Sequence, residues 1–315
     1  MSEQIKQVLV TGGAGFIGSA TISALETCGH QIYAIDNLSF GNRQFIDLPN
    51  ERFFEIDILD RVALARAVNQ ISPDWIVHLA AIHFIPYCNQ HPVEAAQVNI
   101  QGTINLLDAA KNVRNLEKVF FASTAAVYPI SDRAVAETHP LAPLDIYGVS
   151  KLAGEHLVNE FHLLTGVPTV VCRFFNAFGP NETNAHVVPE IQRQVNAGSR
   201  TIQLGNLDPK RDFIHTSDMA IAIVKLLTVF DRGSETFNLG RGIEYSVSEL
   251  VAAFEQELGE KIMIEVDPAR VRTVERMHLL ADISKLKNFI DWEPKISLNQ
   301  GISTLLERQP ITAMR

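Results

Sequence analysis

Short apolar runs recur through the first half of the chain, at residues 5–10, 31–35, 52–56, 75–79, 118–122 and 168–173, and each predicts a buried strand. Between most of them lie stretches with apolar positions at helical spacing, at 15–27, 61–70, 92–112 and 147–164. Strands that alternate regularly with helices imply a doubly wound parallel α/β sheet, covered on both faces, with ligands at the carboxyl ends of the strands. After residue 173 the rhythm changes. Residues 174–184 are rich in Asn, Gly and Pro, and helical patterns at 186–197, 217–230 and 246–258 are separated by short strands and loops. This predicts a first domain over 1–175 and a smaller, partly interleaved α/β lobe over 176–315, with part of 206–245 packing back on the first domain. A cleft between two closely packed lobes is the expected place for a substrate.

Where the first predicted strand passes into the first helix, the chain reads TGGAGFIG, residues 11–18. Gly12 suits the tight turn, Gly15 lets backbone N–H groups approach a pyrophosphate, and Gly18 lets the helix pack closely. The unpaired N–H groups and positive dipole of the helix N-terminus then face the phosphates. A glycine loop alone also suits any sharp turn. Asp36 adds the second element, because it closes the next apolar run about 20 residues on, where a carboxylate can accept hydrogen bonds from an adenosine ribose. A carboxylate there repels a ribose 2′-phosphate, so the sequence points to a Rossmann-type fold that binds NAD rather than NADP.

Composition narrows the partners. The chain of 315 residues is 46% hydrophobic and 20% charged, enough apolar material for a full core, and carries a net charge of −9. A negative balance argues against nucleic acid and anionic membranes. The polar residues 1–6 predict no signal peptide, and no run approaches a membrane span, so a cytoplasmic location is expected. Cys28, Cys88 and Cys172 are far apart and odd in number, which suits reduced thiols. His83, Cys88 and His91 lie close in sequence but among Pro86 and Pro92 and without a second ligand cluster, so no metal site is expected.

Two further stretches carry chemistry. In YGVSK, Tyr147 and Lys151 are four apart and share one helix face. A tyrosine has a pKa of about 10; a neighbouring ammonium and a cationic nicotinamide ring favour its phenolate. The pair alone is common. In FASTAAVYP, Ser123 and Thr124 close a buried strand at the end shared with the glycine loop and Asp36, where a hydroxyl can bond a substrate hydroxyl and relay its proton to Tyr147. Small hydroxyl residues at strand ends also serve as simple caps.

Together, TGGAGFIG, Asp36, Asp57-Ile58, HLAA at 78–81, Ser123/Thr124 and YGVSK resemble the extended short-chain dehydrogenase/reductase family, in its NAD-dependent epimerase/dehydratase branch. RFFNAFGP at 173–180, RDFIH at 211–215, FNLG at 237–240 and WEP at 292–294 resemble that branch's sugar-nucleotide lobe, so the similarity covers nearly the whole chain. The resemblance implies that Gly12, Gly15, Phe16, Ile17 and Gly18 hold the pyrophosphate, Asp36 and Asn37 the adenosine ribose, and Asp57 and Ile58 the adenine. It implies that Leu79, Ala80 and Ala81, with Ser123, line the cofactor and that Tyr147 and Lys151 reach the nicotinamide ribose. Asn176, Arg211 and Arg272 match positions that hold the substrate's diphosphate or nucleoside; Arg270 and Arg276 compete with Arg272. His83 departs from the family's usual residue, and could touch cofactor or sugar or be an ordinary loop histidine.

After Thr124, sugar dehydratases and decarboxylases of the branch carry an acidic residue, whereas this chain has Ala125 and Ala126 and resembles the nucleoside diphosphate sugar 4-epimerases, such as those acting on UDP-glucose. The expected reaction is C4 epimerisation through a 4-keto sugar, with catalytic Thr124, Tyr147 and Lys151. The alternatives are a 4-keto-sugar reductase consuming NAD(P)H and a non-catalytic nucleotide-sensing regulator. Leu280, before Ala281-Asp282, stands where residue size governs acceptance of N-acetyl sugars in the epimerases. The resemblance also implies a homodimer through helices 92–112 and 147–164, with Leu152, Leu157 and Phe161 at the interface or in the core.

Overall fold

The computed structural model describes residues 4–270 and 276–307. The first apolar run forms β1 (Gln7–Thr11), and the glycine turn leads into α1 (Phe16–Thr27). There follow β2 (Gln31–Asp36), β3 (Phe53–Glu55), α2 (Arg61–Ile71) and β4 (Trp75–His78). After β4 come α3 (Ile85–Gln90), α4 (Pro92–Ala96), a π-helical segment (Gln97–Gln101) and α5 (Gly102–Ala110). The single helix expected over 92–112 is thus interrupted by a π segment that buries Asn99. Then β5 (Lys118–Thr124), α6 (Ile146–Thr165) and β6 (Thr169–Phe174) complete the alternating half.

The remaining elements are β7 (Asn176–Phe178), α7 (Val187–Asn196), β8 (Thr201–Leu204), β9 (Lys210–His215), α8 (Thr216–Val229), β10 (Ser234–Leu239), β11 (Glu244–Ser246), α9 (Val247–Leu258), β12 (Met263–Val266), α10 (Ser284–Ile290) and α11 (Leu298–Glu307). A seven-stranded parallel sheet runs in the order β10-β6-β5-β4-β1-β2-β3. The chain reverses direction between β1 and β4, which opens a crevice at the carboxyl ends of those strands. The doubly wound fold is the one expected. β10 pairs with β6 at the edge of this sheet and α8 packs on α1, so both belong to the first domain in space.

Side-chain alternation explains why both faces are covered. In β1, Val8 and Val10 pack with Ile22 and Leu25 of α1 and Ile223 of α8, while Leu9 packs on the opposite side with Leu64 of α2, Leu106 of α5 and Phe161 of α6. Phe161 is therefore core, and Leu152 and Leu157 are partly buried against core clusters. The second lobe holds the β11-β9-β7 sheet and a parallel β12-β8 pair. Its separate core joins Ile191, Ile202, Phe254 and Ile302. No helix among the described residues is long and apolar enough to cross a membrane.

Helix α6 is set by local chemistry at both ends. Asp145 caps it by accepting from the Gly148 N–H, and Gly166 ends it in the left-handed conformation (φ 74°). Midway, a Cβ on Gly154 would collide with the Phe121 ring, so only glycine lets the helix lie this close to β5. Beside that contact, Arg173 of β6 makes a bidentate pair with Glu155, Nε–Oε1 2.9 Å and Nη2–Oε2 2.8 Å, both side chains being buried. Breaking one half leaves the other charged and desolvated, which costs about 3–5 kcal/mol. Urea unfolding of Glu155→Gln is expected to show a loss of this order, and Glu155→Met with Arg173→Met a smaller loss than the two single variants summed.

Candidate functional site

The crevice continues into a cavity of about 1300 Å³ between the sheet's carboxyl edge and the second lobe. Every site residue expected from the sequence lines it except Arg272, which lies outside the described residues. At its base, Gly12 turns with φ +69°, and a Cβ there would stand 2.7 Å from the backbone nitrogen of Ala80. Gly15 is the N-cap of α1 and has no side chain to satisfy the first-turn N–H groups, so the amides at Phe16, Ile17 and Gly18 remain for an anion. Asp36 accepts from Ala14 N (3.0 Å) on one oxygen and Leu38 N (2.8 Å) on the other. Burial raises the Asp36 pKa, and those two N–H bonds oppose the shift. Each carboxylate oxygen keeps a lone pair for a ribose hydroxyl. Asn37 donates to Asp57 at 2.9 Å, drawing the two loops together.

Behind the loop after β4 runs a buried polar chain. Thr103 donates to Asn99 O (2.7 Å), so it accepts from Nε2 of His78 (3.0 Å), and Nδ1 of His78 then accepts from Thr11 (2.7 Å). Burial and the nearby Lys151 hold His78 neutral, with its pKa lowered to about 3. Asn99 binds both Ile82 N (2.8 Å) and Ile82 O (2.9 Å) and donates to Ser150 (2.9 Å), which donates in turn to Tyr147 O (2.8 Å). Asn99 thus positions both the cofactor-side loop and the start of α6, a role that sequence reading missed.

The Tyr147 phenol lies beside the Thr124 hydroxyl, which lowers its proton affinity. Thr124 Oγ1 already accepts from Ala126 N (3.1 Å), which leaves its hydroxyl hydrogen for the phenol oxygen. Burial nonetheless pushes the Tyr147 pKa up, with the Thr124 hydroxyl pulling the other way. Lys151 sits with Nζ 4.3 Å from the centroid of Phe121, and burial lowers its pKa to about 7, against the pull of Glu155. The expectation that the lysine ammonium favours the phenolate is therefore corrected: desolvation, invisible in the sequence, dominates both groups. Ser123 lines the cavity, but its hydroxyl donates to Glu155 at 2.5 Å and is committed to the buried ion pair.

On the other wall, Asn176, Ala125 and Ala126 face the cavity. Arg211 donates to the carbonyls of Lys210 (2.8 Å) and Arg276 (2.6 Å). Arg276 binds the carbonyls of Tyr128 (2.8 Å) and Pro129 (3.2 Å), and Arg270 pairs with Glu190 (2.9 Å) and Asp267 (3.3 Å). Leu279, not Leu280, reaches the cavity; Leu280 uses its carbonyl to bind Val135 N at 3.0 Å. The cavity also gathers His83, Glu182 and His186. The last two were missed because loops, with no periodic signal, bring them in.

Comparisons with known proteins agree in direction. A family model described as GDP-mannose 4,6 dehydratase matches residues 9–305. The UDP-glucose 4-epimerase of Lacticaseibacillus casei is 33% identical over 307 residues, 91% of each chain. The structure of UDP-glucose 4-epimerase from Thermus thermophilus in complex with NAD has a TM-score of 0.87 at 29% identity, covering 96% of this chain and 98% of that one. That of UDP-N-acetylglucosamine 4-epimerase from Methanobrevibacter ruminantium, in complex with UDP-N-acetylmuramic acid, has a TM-score of 0.85 at 28% identity, covering 96% and 99%.

Lys151 makes a pH signature. Its pKa is about 7 in the fold against its ordinary value of 10.5, so between these values the unfolded chain binds the extra proton and stability rises with pH. Below pH 7 both states are protonated and the desolvation cost is fully present. Denaturation of Lys151→Met across this range is expected to lack the rise and to show greater stability than the unaltered protein at neutral pH.

Proposed function

The chain belongs to the extended short-chain dehydrogenase/reductase family, and from that premise we propose that it inverts C4 of a nucleoside diphosphate sugar, a UDP-sugar, using NAD that stays bound through the cycle. The observation that carries this reading is the placement of Thr124 beside Tyr147, with Lys151 one turn along α6, in one cavity with the glycine loop and Asp36. The residues present fit the dinucleotide: an uncapped helix N-terminus for its pyrophosphate and a buried carboxylate for its ribose. NAD, when bound, supplies the hydride acceptor and donor and a cationic ring that favours the Tyr147 phenolate.

The chain's own residues then act on the sugar. Tyr147, assisted by Thr124, takes the O4 proton as the C4 hydride leaves, and a 4-keto sugar forms. Tyr147 returns the proton after the ring has turned to present its other face, and C4 is inverted. Asn176 and Arg211 hold the diphosphate while the hexose turns. Ala125 and Ala126 give this part of the cavity small walls and no carboxyl group, so the general acid/base that elimination needs at that position is missing, although the matching family model is described by a dehydratase. Asp36 weighs against a reductase that draws on NADPH. We assign residues 1–175, with the returning α8 and β10, to NAD, and the rest of 176–315 to the nucleotide sugar. UDP is supported by the relatives' names, and a cytoplasmic setting by three free thiols.

Exposed Val93, Ile104 and Val149 on the 92–112 and 147–164 helices support a homodimer. Sedimentation equilibrium is then expected to return twice the 34.9 kDa chain mass, and a monomer at micromolar concentration overturns the dimer. The reaction itself is tested by NMR with a panel of UDP-hexoses, UDP-N-acetylhexosamines and UDP-uronic acids and no added cofactor. C4 inversion is expected with at least one. Tyr147→Phe should lose it by about 10²–10⁴-fold or more while still co-purifying with NAD; near-normal turnover in this variant sinks the assignment.

A further inference from the structure

His83, Glu182 and His186 are left unused by the proton and hydride steps. His83 comes from the loop after β4, Glu182 from the loop after β7, and His186 from the N-cap position of α7. Each offers a ligand atom within 4.8 Å of those of the other two. The two imidazoles lie stacked at 5.8 Å between centroids, and Phe84 meets His186 edge-on at 5.2 Å. Asn184 braces the group: its side-chain nitrogen is 3.3 Å from both His83 Nε2 and Glu182 Oε1, and its backbone N–H donates to Glu182 at 2.9 Å.

We propose that His83, Glu182 and His186 form a binding site for a divalent transition-metal ion of the zinc class, with a further coordination position open to the cavity. Two imidazoles and one carboxylate are a donor set that zinc takes with an open position for an oxygen ligand. Bonds of about 2.0–2.2 Å place tetrahedral donors roughly 3.4 Å apart. The electrostatics suit a cation. Burial and the nearby Lys151 lower the His83 pKa to about 4, so its imidazole is neutral at neutral pH, and the one lone pair, which faces the Asn184 amide, is what an ion would take. Burial raises the Glu182 pKa to about 7, and what opposes this is hydrogen bonding from Asn184 and Thr183, with no Lys or Arg among the causes. A dication would reverse that cost. Imidazole donors also select against magnesium and calcium, which prefer oxygen.

The position gives the ion a mechanical consequence. The segment that carries Glu182 is already fastened to the first domain: Asn181 donates to Ser19 of α1 (3.2 Å) and Thr183 to the carbonyl of Phe40 (2.8 Å). Asn184 already touches His83 (3.3 Å), and an ion joining His83 to Glu182 and His186 adds a stronger fastening of this segment to the loop after β4.

The test uses metal uptake, which is read without turnover and so fails independently of the epimerase reading. Chelator-treated, dialysed protein is titrated with zinc chloride alone by calorimetry. Cobalt chloride, followed by visible absorption, reports the coordination geometry. One equivalent of zinc per chain at micromolar or tighter affinity is expected, with the cobalt absorption of a low-coordinate site. Glu182→Gln, which keeps the shape, and His83→Ala should each weaken uptake by more than about tenfold. His139→Ala, outside the cavity, should bind as the unaltered protein does. Absence of stoichiometric uptake, or uptake unchanged in both Glu182→Gln and His83→Ala, overturns the proposal.

Discussion

Everything at the site depends on how closely three strand ends can approach one another. The Gly12 N–H donates to Ile35 O at 2.8 Å, the Ala14 N–H to Asp36, and the Gly12 Cα faces the Ala80 backbone with no room for a Cβ. Loops after β1, β2 and β4 are therefore held by backbone contacts and by the short side chains of Asp36 and Thr11, without long side chains to fill or blur the crevice. Asp36 serves twice in this arrangement. It fixes the glycine loop through Ala14 and its own loop through Leu38, and keeps lone pairs that face the cavity.

A second constraint reaches from this crevice to the reacting group. Thr11, His78, Thr103, Asn99 and Ser150 form a continuous buried relay of hydrogen bonds ending on the carbonyl of Tyr147. Each member has a partner, as buried polar groups must. The relay fixes the start of α6 relative to the glycine loop, and Gly154 fixes its distance from β5. The placement of a tyrosine hydroxyl beside Thr124 is thus a product of packing several residues away. The same packing withdraws water from Tyr147 and Lys151, which is why their proton affinities move against what their proximity alone suggests.

Much of this was legible in the chain. Apolar runs located β1, β2, β4, β5 and β6 to within a residue or two, because strands buried on both faces have no polar positions to interrupt them. The glycine spacing and Asp36 marked one end of the cavity. Other features have no local signature. β10, SETFNL, begins with polar residues and becomes a strand only by pairing with β6. The π segment inside 92–112 follows from accommodating Asn99, not from residue spacing. Glu182 and His186 meet His83 through loop geometry, and the metal expectation considered only His83's neighbours in sequence. Arg211 was singled out for its charge, yet its carbonyl partners could be seen only in three dimensions.

The return of β10 to the edge of the large sheet also bears on how such a chain can be cut or recombined. Truncation after β6 would leave its apolar backbone edge unpaired, a template for association with other chains. It would also remove α8 from the face of α1 and expose Ile22 and Leu25. The second lobe is therefore inserted into the first domain's architecture rather than appended to it. A graft that exchanges it between relatives needs junctions on both sides of α8 and β10, and a single crossover near residue 175 would separate a sheet from its own last strand.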